Sequence, residues 1–495
     1  MSDYVDVKKT TTEQVDAQGV IPFTGDKGRR LTPTIVSGLM MISDAVLIFG
    51  AGALVFLAYI GLNEQRFVAY MATLGVTTVA PILLFKHFSL YEFDSIVRLE
   101  HQVKKVLMLY SVVFLALVTL AFALKISEEF SRVWAFSWYG ITFLTLGASR
   151  VAWFRTLNGW GRINRLTRNV VVLGGGHRGE RALESLTDDS KPWYRVVGVF
   201  DADPAKAGAK VGDFDVNGGI DELISFARSH RVDDILVTLS LGNEEQLHEI
   251  FQRLKVLPTH IVLSLDIGGL NPLTNTVGSF NSLPVIKIFE RPIDGWSTVL
   301  KGVEDRLLAL FFLFLTLPVM GVTALLIRLD SPGPVLFRQK RYGFNNELID
   351  VYKFRTMYQD QCDVNAEKLA TKSDDRVTQI GRTLRKLSLD ELPQFFNVLK
   401  GEMSIVGPRP HAIKAKAAGR LYEAVVAEYA LRHRVKPGIT GWAQVNGWRG
   451  ETDTEESIKK RVEYDLFYID NWSLVFDLQI ILQTIWVLFK TDEAH

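Results

Sequence analysis

Four apolar stretches, at residues 35–62, 67–85, 106–124 and 133–154, crowd the first third of this 495-residue chain. Each is close to the roughly 20 residues that a helix needs to cross a bilayer. As buried helices of a soluble core, four such runs would leave too little polar surface, so the pattern predicts a four-helix transmembrane bundle over residues 35–155. Its orientation follows from basic residues in short flanks. Lys27, Arg29 and Arg30 precede the first run, Lys86, Arg98, Lys104 and Lys105 separate the second and third, and Arg155, Arg162, Arg165 and Arg168 follow the fourth. The other two loops are poor in basic residues, which places both ends of the bundle on the cytoplasmic side.

The rest of the chain is long enough for further domains. Lys+Arg 56 against Asp+Glu 55 gives a net charge of +1, which argues against recruitment to nucleic acid by overall charge. The mean hydropathy of +0.13 averages the apolar runs with polar domains. A single cysteine, Cys362, excludes an intramolecular disulfide framework and any multi-cysteine metal site. Residues 1–34 are polar, carry no short signal-peptide core and read as a cytoplasmic tail.

From Asn169 the pattern changes to short β-rich runs alternating with helical ones. Asn169-Val-Val-Val-Leu173 leads into Gly174-Gly-Gly176-His-Arg-Gly179, and Val196-Val-Gly-Val-Phe200 ends at Asp201. The glycines stand between strand and helix, which gives this fingerprint meaning. Residues 165–290 are therefore expected to form a Rossmann-like, doubly wound α/β domain. In it Gly174 makes the turn, Gly176 approaches a phosphate, Gly179 packs helix on strand and Asp201 stands where a ribose-binding acid belongs. These four are candidate nucleotide-binding residues, although such domains also persist as scaffolds. No Tyr-x-x-x-Lys pair occurs in the segment, so dehydrogenase or dehydratase chemistry lacks its usual base.

A fifth apolar run, 307–327, has Pro318 near its centre, where a proline deletes a backbone hydrogen bond and bends a helix. Lys301 and Arg306 precede it and Arg328, Arg338, Lys340 and Arg341 follow. Basic flanks at both ends favour a re-entrant helix, 306–328, broken at Pro318, over a fifth span. Near the C-terminus, residues 474–489 carry Asp477, Gln479 and Gln483, as an amphipathic helix lying on the membrane would.

Between these elements, basic residues including Arg338, Lys340, Arg341, Lys353, Arg355, Arg376, Arg382, Arg385, Lys386 and Arg409 surround one acidic pair, Asp390-Glu391. Basic groups around adjacent carboxylates suit an anionic substrate bridged by a divalent cation, as in phosphoryl transfer. Ser388-x-x-Glu391 also reads as a capping box. Pro393 argues for a helix start nearer Asp390, where free N–H groups would favour the ionised carboxylate.

The stretch Ser388-Leu-Asp-Glu-Leu-Pro-Gln-Phe-Phe-Asn-Val-Leu-Lys-Gly-Glu-Met-Ser-Ile-Val-Gly-Pro-Arg-Pro410 resembles the signature of bacterial polyprenyl-phosphate hexose-1-phosphate transferases, the large monotopic phosphoglycosyl transferases. The resemblance extends over nearly the whole chain. It implies a membrane protein of α plus α/β class, with a mostly helical cytoplasmic catalytic domain over 300–495, in the bacterial inner membrane. It implies transfer of hexose-1-phosphate from a UDP-sugar to undecaprenyl phosphate with release of UMP, as the first membrane step of exopolysaccharide assembly. Asp390 is then the nucleophile that forms an aspartyl-phosphosugar, Glu391 the Mg²⁺-binding acid, and Arg409 a phosphate ligand. Lys353 and Arg355 are further phosphate or lipid-headgroup partners, and Arg382 a further phosphate ligand. The partners are the UDP-sugar, undecaprenyl phosphate and the lipid bilayer, with no nucleic acid; a homo-oligomer is left open.

The segment Lys436-Pro-Gly-Ile-Thr-Gly-Trp-Ala-Gln-Val-Asn-Gly-Trp-Arg-Gly-Glu-Thr-Asp-Thr454 resembles the glucose-transferring members more than the galactose-transferring ones. Trp442 and Trp448 are candidate platforms for a sugar ring, and Gln444, Asn446, Arg449 and Glu451 candidate partners for its hydroxyls. A galactose transferase is the nearest alternative. A membrane-anchored nucleotide-sugar dehydratase or oxidoreductase, and a non-enzymatic nucleotide-sensing scaffold, stand further off.

Overall fold

The computed structural model describes residues 32–490 except 63–66, 97, 163–165, 188–192, 240–243, 266–277, 281–282, 360–373, 412–415, 418–419, 422–425, 427 and 449–453. Residues 1–31 of the N-terminal tail, Cys362, Arg449 and Glu451 lie outside the described residues. The chain forms two bodies, Gly25–Thr167 and a second from Arg168 to His495.

In the first body, α1 (Pro33–Val55), α2 (Phe67–His87), α3 (Leu99–Ala123) and α4 (Arg132–Arg162) form a bundle. Within it α1 packs on α2 and α4, and α3 packs on the same two. Val36, Met40, Ile48, Leu74, Phe85, Val106 and Leu146 fill the interior, while Val68, Val76, Leu115, Phe122 and Leu144 stay exposed, as on a surface meant for lipid. Among the described residues, four helices are long and apolar enough to cross a membrane: α1 with its π turn to Ile60, α2, α3, and a later helix over Trp296–Asp330. The expected fourth span, 133–154, lies in α4 and falls short on apolarity although its length suffices. The reason is its polar inward face. Arg150 forms a two-pronged ion pair with Asp44 (2.8 and 2.6 Å), and Trp138 and Trp134 donate to the Ile48 and Gly52 carbonyls (2.9 and 3.0 Å). Neither charge was legible as a partner within the apolar runs.

The second body begins with a six-stranded sheet of β1 (Arg168–Leu173), β2 (Tyr194–Phe200), β3 (Asp234–Val237), β4 (His260–Ser264), β5 (Gly278–Phe280) and β6 (Leu283–Phe289), ordered β2-β1-β3-β4-β6-β5. The first four strands run parallel, and β6 joins β4 antiparallel. Period-two alternation builds both faces of the sheet. Val171, Leu173, Ile235, Val237, Ile261 and Leu263 meet α6 (Ile220–Ser229) and α7 (Glu244–Leu254), whereas Val170, Val172, Leu236 and Val262 meet α5 (His177–Leu186).

The chain then enters α8 (Trp296–Asp330), followed by an antiparallel hairpin of β7 (Leu336–Tyr342) and β8 (Leu348–Phe354). After it come α9 (Gln379–Lys386), α10 (Gln394–Lys400), a parallel pair of β9 (Ser404–Val406) with β10 (Gly438–Thr440), α11 (Glu455–Asp470) and α12 (Leu474–Lys490). Pro318, the expected break, lies inside α8, whose helical assignment continues on both sides of it. One missing N–H is tolerated because flanking turns are held by packing. Ala309 sits in a core with Ile405, Val406 and Ile480, and Met320 and Ile327 sit in another with Phe354 and Leu384. Both halves of α8 thus lie on one domain.

The C-terminal helix also departs from expectation. Asp477 is fully buried, bonded by Lys301 (2.7 Å), Trp472 (2.9 Å) and Tyr468 (2.8 Å). The exposed face is instead apolar, with Val475, Leu478, Leu482 and Trp486. Asp477 thus turns inward beside Ile480 and Ile481, while other apolar side chains of the helix face outward.

Candidate active site

The acidic pair is placed by a turn rather than by a helix cap. Ser388 adopts φ 56°, in the left-handed region, and makes no side-chain cap. Leu389–Glu391 forms a single 3₁₀ turn, and α10 starts only after Pro393. The capping-box reading is therefore set aside, and so is a helix start at Asp390, because the proline becomes the N-cap of α10. Along this turn the two adjacent carboxylates diverge.

Glu391 is gripped from two directions. Lys353 Nζ donates to its Oε1 (2.8 Å), and Arg409 donates to Oε1 (2.6 Å) and Oε2 (3.2 Å). Burial alone would oppose its ionisation, but Arg409 and Lys353 overcome that and hold the carboxyl well below its usual range. Asp390 is 8% exposed, and no side-chain hydrogen bond or ion pair reaches it among the described residues. Burial, with the Glu391 charge adding to it, pushes its carboxyl above the usual range against Lys353, Arg385 and Arg409. The expected helix-end stabilisation of ionised Asp390 is thus outweighed by desolvation.

The cations come from three elements. Lys353 on β8 and Arg341 on β7 share one face of the hairpin, where Ile349 opposes Arg341 and Phe337 opposes Lys353. Arg341 bonds Gln339 Oε1 (2.8 Å) and the Pro410 carbonyl (2.5 Å). Burial and then the neighbouring Arg409 push the Arg341 guanidinium down to about 10; burial, with Arg341 and Arg409, also lowers Lys353 against the pull of Glu391. Burial is the first cause of both depressions, and by formal charge Lys353, Arg341 and Arg409 outnumber the two carboxylates.

Arg409 lies in Gly407-Pro-Arg-Pro410, and this segment is seated by backbone contact. Gly407 N donates to Thr440 O (2.9 Å) and Gly438 N to Pro408 O (3.0 Å). A Cβ on Gly438 would sit 2.1 Å from Gly407 N, so the glycine of Lys436-Pro-Gly438 is required by this close approach.

Two expected phosphate ligands, Arg355 and Arg382, make no hydrogen bond or ion pair with Glu391 or Asp390 among the described residues, and Arg355 is tied elsewhere. Arg355 is 3% exposed, and its guanidinium donates to Ser331 O (2.7 Å), Ser331 Oγ (3.0 Å) and Pro332 O (2.5 Å). It ties the turn after α8, because the strand ends at Phe354 and the chain swings away from the acidic pair. Arg382 is exposed on α9; Arg385, one turn on, is the α9 cation that acts on Asp390. Sequence reasoning gathered Arg341 and Arg385 in the basic cluster without singling them out, and it missed Arg432 and His411 beside Arg409.

Beside Glu391 opens a cavity of about 250 Å³ between α8, α10 and α12. Phe312, Phe395, Ile439 and Ile481 line it, with Ser388, Glu391 and Gln444 as polar groups. Trp442 is not a free platform: its ring packs against Phe476 (5.0 Å) and Phe467 (6.3 Å). Trp448 faces Tyr464 (6.5 Å), and Asn446 donates to the Trp442 carbonyl (2.7 Å).

Gly174 has φ +124°, and a Cβ on Gly179 would stand 2.0 Å from Gly174 O. Gly176 caps α5. Asp201 is occupied by the protein itself: Gly175 N (2.6 Å), Asp203 N (2.9 Å) and Lys206 Nζ (3.3 Å) all reach its carboxylate.

Residues 296–491 match the family of bacterial sugar transferases, and residues 86–264 match a CoA-binding domain. The chain is 39% identical over 367 residues to a UDP-glucose:undecaprenyl-phosphate glucose-1-phosphate transferase of Escherichia coli, covering 74% of this chain and 76% of that protein. The chain belongs to the polyprenyl-phosphate hexose-1-phosphate transferases. A protein of the same description from Xanthomonas campestris is 35% identical to this transferase, over 84% of this chain and 86% of its own. An undecaprenyl-phosphate galactose phosphotransferase of Salmonella typhimurium is 30% identical, over 78% and 81%. In this transferase the acidic pair, the cation cluster and the apolar cavity all fall within the sugar-transferase segment.

Proposed function

We propose that the enzyme transfers glucose-1-phosphate from UDP-glucose to undecaprenyl phosphate through a covalent intermediate on Asp390, releasing UMP. One observation carries the reading: Asp390, buried with no side-chain hydrogen bond or ion pair among the described residues, stands beside the doubly paired Glu391, where Lys353, Arg341 and Arg409 outnumber the two acids. Glucose is favoured over galactose because the glucose-named relatives are the more similar, at 39% and 35% against 30%. Transfer of radiolabelled sugar to undecaprenyl phosphate tests it. Preference for UDP-galactose at equal concentration would overturn glucose, and absence of UMP release from any UDP-sugar would overturn the reaction.

In the first step the ionised Asp390 carboxylate attacks the sugar-bearing phosphorus, and the bond to the UMP oxygen breaks. In the second, an oxygen of undecaprenyl phosphate attacks the same phosphorus and returns Asp390 to its free carboxylate. The anomeric C–O bond is untouched, so configuration is retained. Arg409 and Lys353 exchange Glu391 for substrate phosphate oxygens, which suit a guanidinium fork and a point cation. That exchange releases Glu391. A single released carboxylate beside a diphosphate fits Mg²⁺, which is commonly held by one or two carboxylates together with substrate phosphates. When bound, Mg²⁺ neutralises charge on the diphosphate. The apolar cavity beside Glu391 takes the first isoprene units of the lipid.

We place the site at the cytoplasmic face of the bacterial inner membrane. The support is that both halves of α8 pack on the catalytic domain, while Leu307, Phe311, Phe314 and Leu315 stay exposed. We read α8 as re-entrant. Cysteine labelling on the two sides of the membrane tests this, and opposite-side reaction at residues flanking α8 would overturn it. We read Arg168–Phe289 as a Rossmann-like regulatory domain, supported by its four parallel strands and its glycine turn.

A further inference from the structure

Arg409 is flanked by Pro408 and Pro410, which have no backbone N–H to contribute. A segment of this kind cannot be held by a regular ladder, and its carbonyls must find donors elsewhere. Each does. Pro408 O accepts from Gly438 N (3.0 Å), Arg409 O from Arg432 Nη2 (2.9 Å), and Pro410 O from Arg341 Nη1 (2.5 Å).

Arg432 does more than meet one carbonyl. Its Nη1 donates to His411 Nδ1 (2.7 Å), and its Nε donates to Asp465 Oδ2 (2.7 Å) on α11. The guanidinium also lies over the Tyr429 ring at 5.1 Å. The side chains of Arg432 and Asp465 are 2% and 3% exposed. A buried ion pair is a poor way to stabilise a fold, because desolvation offsets most of the attraction. The three donors of this fork are instead spent on residues 409, 411 and 465, which fixes the Arg409 backbone against α11. Burial, followed by the charges of Arg432 and Arg461, keeps His411 well below its ordinary pKa, consistent with a neutral ring accepting from Arg432.

We propose that Arg432, fixed by Asp465, is a positioning residue that aims Arg409 at the phosphate of the nucleotide sugar. The inference rests on Arg409 being a phosphate ligand. Among the described residues Arg432 bonds neither Glu391 nor Asp390; it acts through the Arg409 backbone and His411.

The test uses the full-length protein in nanodiscs with the two substrates varied separately and the unfolding midpoint recorded. Arg432→Lys keeps the charge and loses the fork; Asp465→Glu keeps the ion pair and displaces it by one methylene. Both are expected to raise KM for the UDP-sugar on the order of tenfold, the loss of one charge-assisted hydrogen bond. KM for undecaprenyl phosphate should hold, while the unfolding midpoint should fall because the lost fork leaves buried acceptors without a donor. An unchanged UDP-sugar KM, or a parallel rise in both KM values, would overturn the positioning role. Arg409→Lys separates this from the reading beneath it. If Arg409→Lys leaves the UDP-sugar KM unaltered, the phosphate role of Arg409 itself fails. If it raises that KM while Arg432→Lys does not, only the positioning role fails. Should neither charge-conserving variant fold, His411→Gln gives the same readout: a raised UDP-sugar KM supports the inference and an unchanged one overturns it.

Discussion

Asp390 and Glu391 are covalent neighbours in opposite electrostatic settings. Glu391 is clamped by Lys353 and Arg409 and held well below the usual carboxylate range, whereas Asp390 is buried, bonded by no side chain among the described residues, and pushed above that range. Two carboxylates driven apart in this way divide their roles. On the proposed mechanism Glu391 is the fixed charge and the desolvated Asp390 the nucleophile.

Asp390→Asn should lower turnover by at least about 10⁴-fold, as loss of a nucleophile does. It should leave no phosphosugar adduct on intact-mass analysis while UDP-sugar binding persists. Glu391→Gln strands Lys353 and Arg409, so it should cost about 2 kcal/mol of stability and increase the Mg²⁺ concentration needed for half-maximal rate.

The pH profile follows from the same pair. Asp390 must be ionised to attack, and its pKa is raised, so activity is lost as pH falls through a value above that of an ordinary carboxylate, about 4. In Glu391→Gln the neighbouring negative charge is gone, and the acid limb of UMP release should move to lower pH. A limb that stays in place would show that another group is titrating.

Arg355 and Arg382 should behave differently from Arg409. Arg355→Ala leaves the Ser331 and Pro332 carbonyls without their donor, at a cost of about 2–3 kcal/mol, and the folded fraction should keep its UDP-sugar KM. Arg382→Ala on the exposed face of α9 should change stability by no more than about 0.5 kcal/mol. Thermal unfolding with parallel kinetics distinguishes the three arginines.

Thr316 lines the cavity beside Glu391 from α8. Thr316→Trp should fill that space and raise KM for undecaprenyl phosphate about tenfold, the scale of a lost apolar contact. Release of UMP in the first half-reaction should be unaffected. Equal impairment of both steps would detach the cavity from the lipid.

A chain beginning at Ile293 should still transfer phosphosugar in nanodiscs, because every group of the acidic site lies beyond it. It loses the bonds from Asn345 to Ala227 O (3.0 Å) and from Arg434 to Glu290 O (2.8 Å), and its unfolding midpoint should fall. A folded but inactive truncation would make Arg168–Phe289 part of the catalytic machinery.

Much of this molecule is local in origin. Apolar run length set three of the expected spans, strand–glycine–helix spacing set the turn at Gly174–Gly179, and the acidic pair is adjacent in the chain itself. Partner choice is not local. Lys353 and Arg355 are two residues apart, yet only Lys353 reaches Glu391, because the strand ends between them. Asp477 reads as the wet face of an amphipathic helix but turns inward, where Lys301, far away in the chain, meets it. Asp44 and Arg150 are likewise invisible as a pair until α1 and α4 pack together. Periodicity and propensity act over a turn or a strand, whereas the balance between desolvation and pairing depends on which distant charge arrives, and the tertiary fold alone decides that.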